Sequence, residues 1–312
     1  MLKYCISLVF IGVILGAYQQ WRSKATSLVV GPRVSKITQH GLPLKLAAIG
    51  DYGTGKPEQF AVFAALETYC QESGLDALLL LGDNIYMDGV SSVDDPKWES
   101  VIRKPFEYAC LSQLPLLPVL GNHDYKGNTG AQIAYSKIWE NWRFPARFYS
   151  VQFSDLLEVV AIDSNIFDYC GSADHCSGDF LRERKAARST RWQIAMGHHP
   201  ANNSLSKHKP GLIGWVLQKA TCGLDLYLAG HNHHLEHLSP NDCPNTEYLI
   251  SGAAGASIYD IKERAQDSQF AESQYGFLVL SIEYSALSFS FYDLDQNVLY
   301  RRDSYQVAET NL

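Results

Sequence analysis

The chain has no run of Lys or Arg that would suit an anionic membrane surface, and its 33 Asp and Glu against 26 Lys and Arg leave a formal net charge of −7. That balance offers no electrostatic footprint for DNA or RNA, so nucleic acid is excluded as a bound partner. Internal repeats and low-complexity segments are absent, and no stretch supplies the roughly 20 apolar residues that a spanning helix needs. What remains is a 312-residue chain with 46% hydrophobic and 19% charged side chains, the composition of an ordinary globular protein, read here as one large domain. One shorter apolar stretch, Tyr4 to Tyr18, follows Lys3 and precedes Trp21, Arg22 and Lys24, the layout of an export signal. Residues 1–25 are therefore expected to be a signal peptide, cleaved after Ala17 or Ala25, or an uncleaved anchor. A linker over 26–44 and a folded domain over 45–305 follow. Such a chain is secreted, periplasmic or lumenal, and meets a membrane only through that N-terminal anchor.

Seven cysteines agree with an oxidising compartment, because Cys5 lies in the signal and leaves an even set of six. Cys170 and Cys176 enclose a short Gly/Ser/Asp loop and are the first pairing expected; Cys222 with Cys243 is the second. None of the six stands in the blocks that carry chemistry.

Those blocks are five apolar runs, each ending in Gly and followed at once by Asp, Asn or His: Gly50-Asp51, Gly82-Asp83-Asn84, Gly121-Asn122-His123-Asp124, Gly197-His198-His199 and Gly230-His231-Asn232-His233. Short continuous apolar runs describe strands buried on both faces, and Gly gives room for a ligand beside the backbone. Binding crevices in open α/β sheets form at the carboxyl ends of strands, so these side chains are expected to converge on one sheet edge. A set of O and N donors without thiolate suits hard or borderline ions such as Fe, Mn or Zn. Asp83 is placed to bridge two ions about 3.5 Å apart. His231 and His233 project to the same side of an extended segment and can serve neighbouring ions.

Between the blocks, Pro57 to Ser73 reads as a helix, with Pro at its start and Gly74 after its end. The βαβα order implies parallel pairing. From Arg147 to Asp163 and from Glu247 to Tyr300 the period shortens towards two, predicting antiparallel hairpins that close a second sheet in a three- or four-layer α/β sandwich. Ser164 to Arg191 reads as an inserted loop with a helix over the site edge.

The five blocks in order resemble the calcineurin-like metallophosphoesterases, whose signature is an Asp motif, then GD, GNH[DE], GH and GHxH. The resemblance covers residues 46 to about 292 and implies an α/β fold of two mixed β-sheets flanked by helices, in αββα order. One position narrows it. Phosphodiesterases and nucleotidases usually carry Asp-x-His in the first block, whereas here Gly53 stands in place of the His and Tyr86 follows in the second block, the mark of purple acid phosphatases. The match continues through Ala161-Ile162-Asp163, Gly197-His-His-Pro200 and Tyr248-Leu-Ile-Ser-Gly-Ala253 and looks like the short, mammalian-type and bacterial form.

By that resemblance Asp51, Asp83, Tyr86 and His233 hold Fe(III), while Asp83, Asn122, His198 and His231 hold a divalent partner, Fe, Zn or Mn. His123 and His208 match residues that contact the phosphoryl group, with Asp124 behind His123 as orienter. The implied activity is acid phosphatase hydrolysis of phosphate monoesters, with a metal-bound hydroxide as nucleophile and small phosphorylated molecules as substrates. No stable protein partner is implied. Asn232, His199 and Tyr52 depart from residues frequent in the family, and none of the three is expected to be a ligand.

Overall fold

A computed structural model describes residues 33–37, 41–165, 176–205 and 209–305. The helix expected from the Pro57 and Gly74 signals is found over Pro57–Ser73 (α1), and Gly74 leaves it at φ 75°. The apolar runs are strands, and the buried ones alternate between two cores. Along β6 (Leu157–Ala161), Leu157, Val159 and Ala161 face one core and Val160 the other; β7 (Trp192–Met196) and β8 (Leu226–Ala229) repeat the pattern. This is why their sequences are continuously apolar: each strand buries both faces.

The central core lies between two facing sheets. One, of six strands, runs β14-β13-β12-β2-β3-β4, with β2 at Leu44–Ile49, β3 at Ala77–Leu80, β4 at Leu116–Pro118, β12 at Phe277–Ile282, β13 at Leu287–Tyr292 and β14 at Val298–Tyr305. The other, of eight, runs β1-β5-β6-β7-β8-β10-β9-β11, adding β1 at Arg33–Ile37, β5 at Tyr149–Phe153, β9 at Leu235–Leu238, β10 at Glu247–Ser251 and β11 at Ser268–Glu272. Phe63 and Leu66 of α1 join the central core. Two further helices, α3 (Ser177–Ala186) and α4 (Gly211–Thr221), contribute Phe180, Leu181 and Leu217 to the second core on the far side of the eight-stranded sheet. The order is αββα, as the resemblance implied. A short helix, α2 (Thr129–Ala134), follows the third block.

Three expectations change. The antiparallel hairpin β12–β13 forms as expected, but β12 pairs with β2, so it extends the first sheet rather than closing a second. The stretch read as linker holds β1, paired in parallel with β5. The five blocks do not share one sheet edge: three leave β2, β3 and β4, two leave β7 and β8, and the site straddles the seam between the sheets. At that seam Gly50 and Gly230 almost touch, since a Cβ on Gly50 would lie 3.1 Å from the Gly230 Cα.

Disulfides join Cys222 to Cys243, as expected, and Cys70 to Cys110, which links α1 to the segment before β4. Cys176 is disulfide-bonded, and Cys170 lies outside the described residues, as does the N-terminal apolar stretch. No helix among the described residues is long and apolar enough to cross a membrane.

Candidate metal centre

Each of the five strands ends at a glycine where another segment of the fold takes the space a Cβ would need. A Cβ on Gly121 would sit 2.1 Å from Asp83 Oδ1, and one on Gly230 2.6 Å from Asp51 Oδ2. The chain then turns so sharply that Asp51, Asp83 and His231 adopt left-handed φ values of 58°, 52° and 66°. Such conformations in non-glycine residues cost roughly 1–3 kcal/mol each and gather at functional sites.

The turned side chains form two adjoining groups. In the first, the Tyr86 hydroxyl donates to Asp51 Oδ1 at 3.0 Å and lies 3.2 Å from His233 Nε2, with His233 Nε2 3.5 Å from Asp51 Oδ1. In the second, Asn122 Oδ1 is 3.1 Å from His198 Nε2 and 2.9 Å from His231 Nδ1, and those two nitrogens are 3.2 Å apart. Asp83 stands between them, with Oδ1 3.5 Å from His198 Nε2 and its carboxylate beside Tyr86. The structure thus brings together Asp51, Asp83, Tyr86, Asn122, His198, His231 and His233.

Backbone carbonyls fix which ring nitrogen faces the centre. Carbonyl oxygens only accept, so His198 Nδ1–H donates to Leu81 at 2.9 Å and His233 Nδ1–H to Ser257 at 2.8 Å, leaving each Nε2 turned inward. Gly53 has no room for a side chain: its Cβ would meet the Asn84 carbonyl oxygen at 1.7 Å. The Tyr86 N–H instead donates to the Gly53 carbonyl at 2.8 Å, a contact that seats Tyr86 in the first group.

The electrostatics call for cations. Asp51 and Asp83 are buried, and among the described residues their only ion pairs are with His233 and His198. Burial alone would raise the Asp51 carboxyl, but the His233 hydrogen bond and the charges of His198, His233 and His231 hold it below its ordinary value. Burial would likewise lower His198 and His233, and the neighbouring carboxylates raise both. Burial and the Asp51 and Asp83 charges push the Tyr86 phenol far above its ordinary value, so its ionisation at this place requires a strong cation. Two buried carboxylates, a phenol, an amide oxygen and three imidazoles fit a pair of hard or borderline ions.

His199 was not anticipated here. It groups with His198 and His231, and its Nδ1 is 2.9 Å from the Ser164 hydroxyl; burial and the two flanking imidazoles press it down to about 2, which keeps it neutral. The Gly197-His198-His199 tripeptide was the only signal. His123 lies at the rim, its ring 4.4 Å from that of Tyr86, with Nδ1 2.6 Å from the Met87 carbonyl oxygen and 3.0 Å from Lys126 Nζ. Asp124 does not orient it. Its carboxylate accepts from the N–H groups of Gly121, Asn84 and Ile85 and from Gln132, so it pins the second and third blocks together. Burial and the Asp83 charge push it up to about 7 against those donors. His208 lies outside the described residues.

A model of the calcineurin-like phosphoesterase family matches residues 44–235, more than half of the chain. The chain belongs to that family. Among calcineurin-like phosphoesterases it is similar to tartrate-resistant acid phosphatase type 5 of Homo sapiens, 30% identical over 239 residues, which are 67% of this chain and 72% of that protein. Purple acid phosphatase 7 of Arabidopsis thaliana is 28% identical over 285 residues, covering 83% and 85%. In fold it resembles GAP50, the anchor in the inner membrane complex of Plasmodium, with a TM-score of 0.74 at 20% identity over 86% of this chain and 91% of that one. This calcineurin-like phosphoesterase is a hydrolase whose relatives are the tartrate-resistant and purple acid phosphatases.

Proposed function

We propose that the protein is an exported acid phosphatase that hydrolyses phosphate monoesters at a centre of Fe(III) and a divalent ion. The observation that carries this reading is the seat of Tyr86: a phenol donating to Asp51, against His233, where Gly53 excludes the alternative histidine. Asp51, Asp83, Tyr86 and His233 would hold the trivalent ion, and Asp83, Asn122, His198 and His231 the divalent one. Two such ions supply Lewis acidity and lower the pKa of water at the site. The protein's own groups do the rest. Fixed tautomers at His198 and His233 present their inner nitrogens without reorganisation. In its protonated form His123 keeps Nδ1–H on the Met87 carbonyl and has Nε2–H left for the departing oxygen or the phosphoryl group.

The visible spectrum tests the proposal, since a phenolate on Fe(III) is coloured. Purified wild type is expected to be purple and to cleave p-nitrophenyl phosphate well ahead of its bis ester, and Tyr86→Phe is expected to bleach it. A colourless wild type with two zinc ions and full activity, or a preference for the bis ester, would overturn the assignment.

A further inference from the structure

After the fourth block, α4 opens with apolar side chains that nothing among the described residues covers. Leu212, Ile213 and Trp215 are 75%, 47% and 57% exposed, three of the eight large hydrophobic residues exposed among the described ones, gathered within four positions. Clustered apolar exposure of this kind marks an interaction surface, whereas single exposed residues do not. Leu212 and Trp215, three apart, share one helix face. They stand next to a groove of about 740 Å³ whose rim carries Lys209, Lys262 and Arg264, with Trp215 in its wall and Glu263 as the one acidic residue. Lys209 and Lys262 have no ion-pair partner among the described residues, and the Arg264 guanidinium makes only a 3.5 Å contact to the Ala271 carbonyl.

We propose that this face docks the protein onto membranes containing anionic phospholipid. Leu212 and Ile213 enter the acyl boundary, Trp215 sits at headgroup level, and the three cations hold phosphate groups in the groove. Two features favour lipid over an acidic protein. Leu212 and Ile213 protrude outside the groove rather than line it, which suits a fluid surface without shape of its own. The cations are also the reverse of the chain's overall −7, so an anionic surface repels the rest of the molecule and accepts this face alone. The same segment runs back to the centre: Ala201 on the groove wall is three positions, at most about 11 Å of extended chain, from His198. Docking therefore sets the hydrolytic site close to the headgroup layer. The inference stands apart from the assignment of the metals.

The test uses the full chain with phosphatidylcholine vesicles, plain or mixed with phosphatidylglycerol, brominated in their acyl chains. Wild-type tryptophan fluorescence is expected to be quenched on the mixed vesicles. Trp215→Phe is expected to lose part of that quenching, a reading that holds even when the N-terminal stretch binds lipid as well. Lys209→Ala/Lys262→Ala/Arg264→Ala is expected to reduce binding to mixed vesicles on the order of a hundredfold at low salt. Leu212→Ser/Ile213→Ser is expected to reduce it about tenfold, with p-nitrophenyl phosphate turnover in solution unchanged for all. Equal quenching of wild type and Trp215→Phe, or equal binding of wild type and the triple variant, overturns the proposal. So does preferential capture of poly-glutamate over mixed vesicles, which would assign the face to an acidic protein.

Discussion

At the scale of single residues, the site is held by backbone turns that only glycine neighbours permit. Asp83 stands between the two groups of side chains proposed to hold the ions, whereas Asn122 belongs to one, so their removal has different consequences. Asp83→Asn is expected to strip the protein of both ions, and Asn122→Ala to leave about one per chain, measured by elemental analysis after gel filtration. Equal metal content in the two variants would contradict a shared carboxylate. The His123 side chain meets the proposed metal-holding residues at the Tyr86 ring, while its backbone N–H, which a substitution keeps, donates to Asp83 Oδ1 at 2.8 Å, and His123→Ala is expected to keep both metals. Its loss should depend on the leaving group: about 10²–10⁴-fold on an alkyl phosphate, where the departing alkoxide needs a proton, and much less on an aryl phosphate. Equal losses would mean that His123 only binds phosphate.

At the scale of elements, the third block is clamped to the eight-stranded sheet by a buried network. Arg147, just before β5, donates through Nε and Nη2 to Asp163 Oδ2 at 2.9 and 2.8 Å, and Tyr125 from the third block donates to the same carboxylate. Both charges are almost wholly buried, at 5% and 0% exposed. Breaking such a pair from one side strands the other charge in a low-dielectric setting, at a cost of about 3–5 kcal/mol. Arg147→Ala and Asp163→Ala are each expected to lower stability by about that much in urea titrations, with the double variant losing less than the sum. Additive losses would show that the two side chains act separately.

At the scale of the whole molecule, a second cluster ties the two sheets together. His237 of β9 contacts Glu247 of β10 at 3.0 Å and the Tyr300 hydroxyl of β14 at 3.1 Å, and Arg302 of β14 reaches Glu247 at 2.9 Å. Burial alone would raise the Glu247 carboxyl; the His237 hydrogen bond and charge, with Arg302, hold it below its ordinary 4.5. A carboxylate depressed in the folded state binds its proton more readily when unfolded, so its stabilisation is complete above about pH 4.5 and is lost as pH falls through the folded value. Glu247→Gln is therefore expected to be less stable than wild type at about pH 6 and to converge with it at about pH 3, by urea midpoints. A constant gap across that range would refute the linkage.

The local chemistry was legible in the sequence. Strand ends, α1 with its Pro57 and Gly74 signals, the antiparallel β12–β13 hairpin and the seven side chains that converge at the site are written as short motifs, because each depends on a residue and its immediate neighbours. The fold decided what depends on chain segments meeting. Which sheet a strand joins follows from packing both its faces, so the hairpin read as a second sheet went to the first, and the expected single edge became a seam between two. Asp124 looked like the partner of the histidine before it, yet its carboxylate turns to amides of two loops that only the tertiary structure assembles. The charge pattern holds the same lesson. No run of Lys or Arg marks a membrane surface along the chain, but Lys209, Lys262 and Arg264 meet around one groove, since charges far apart in sequence add their fields only where folding makes them neighbours.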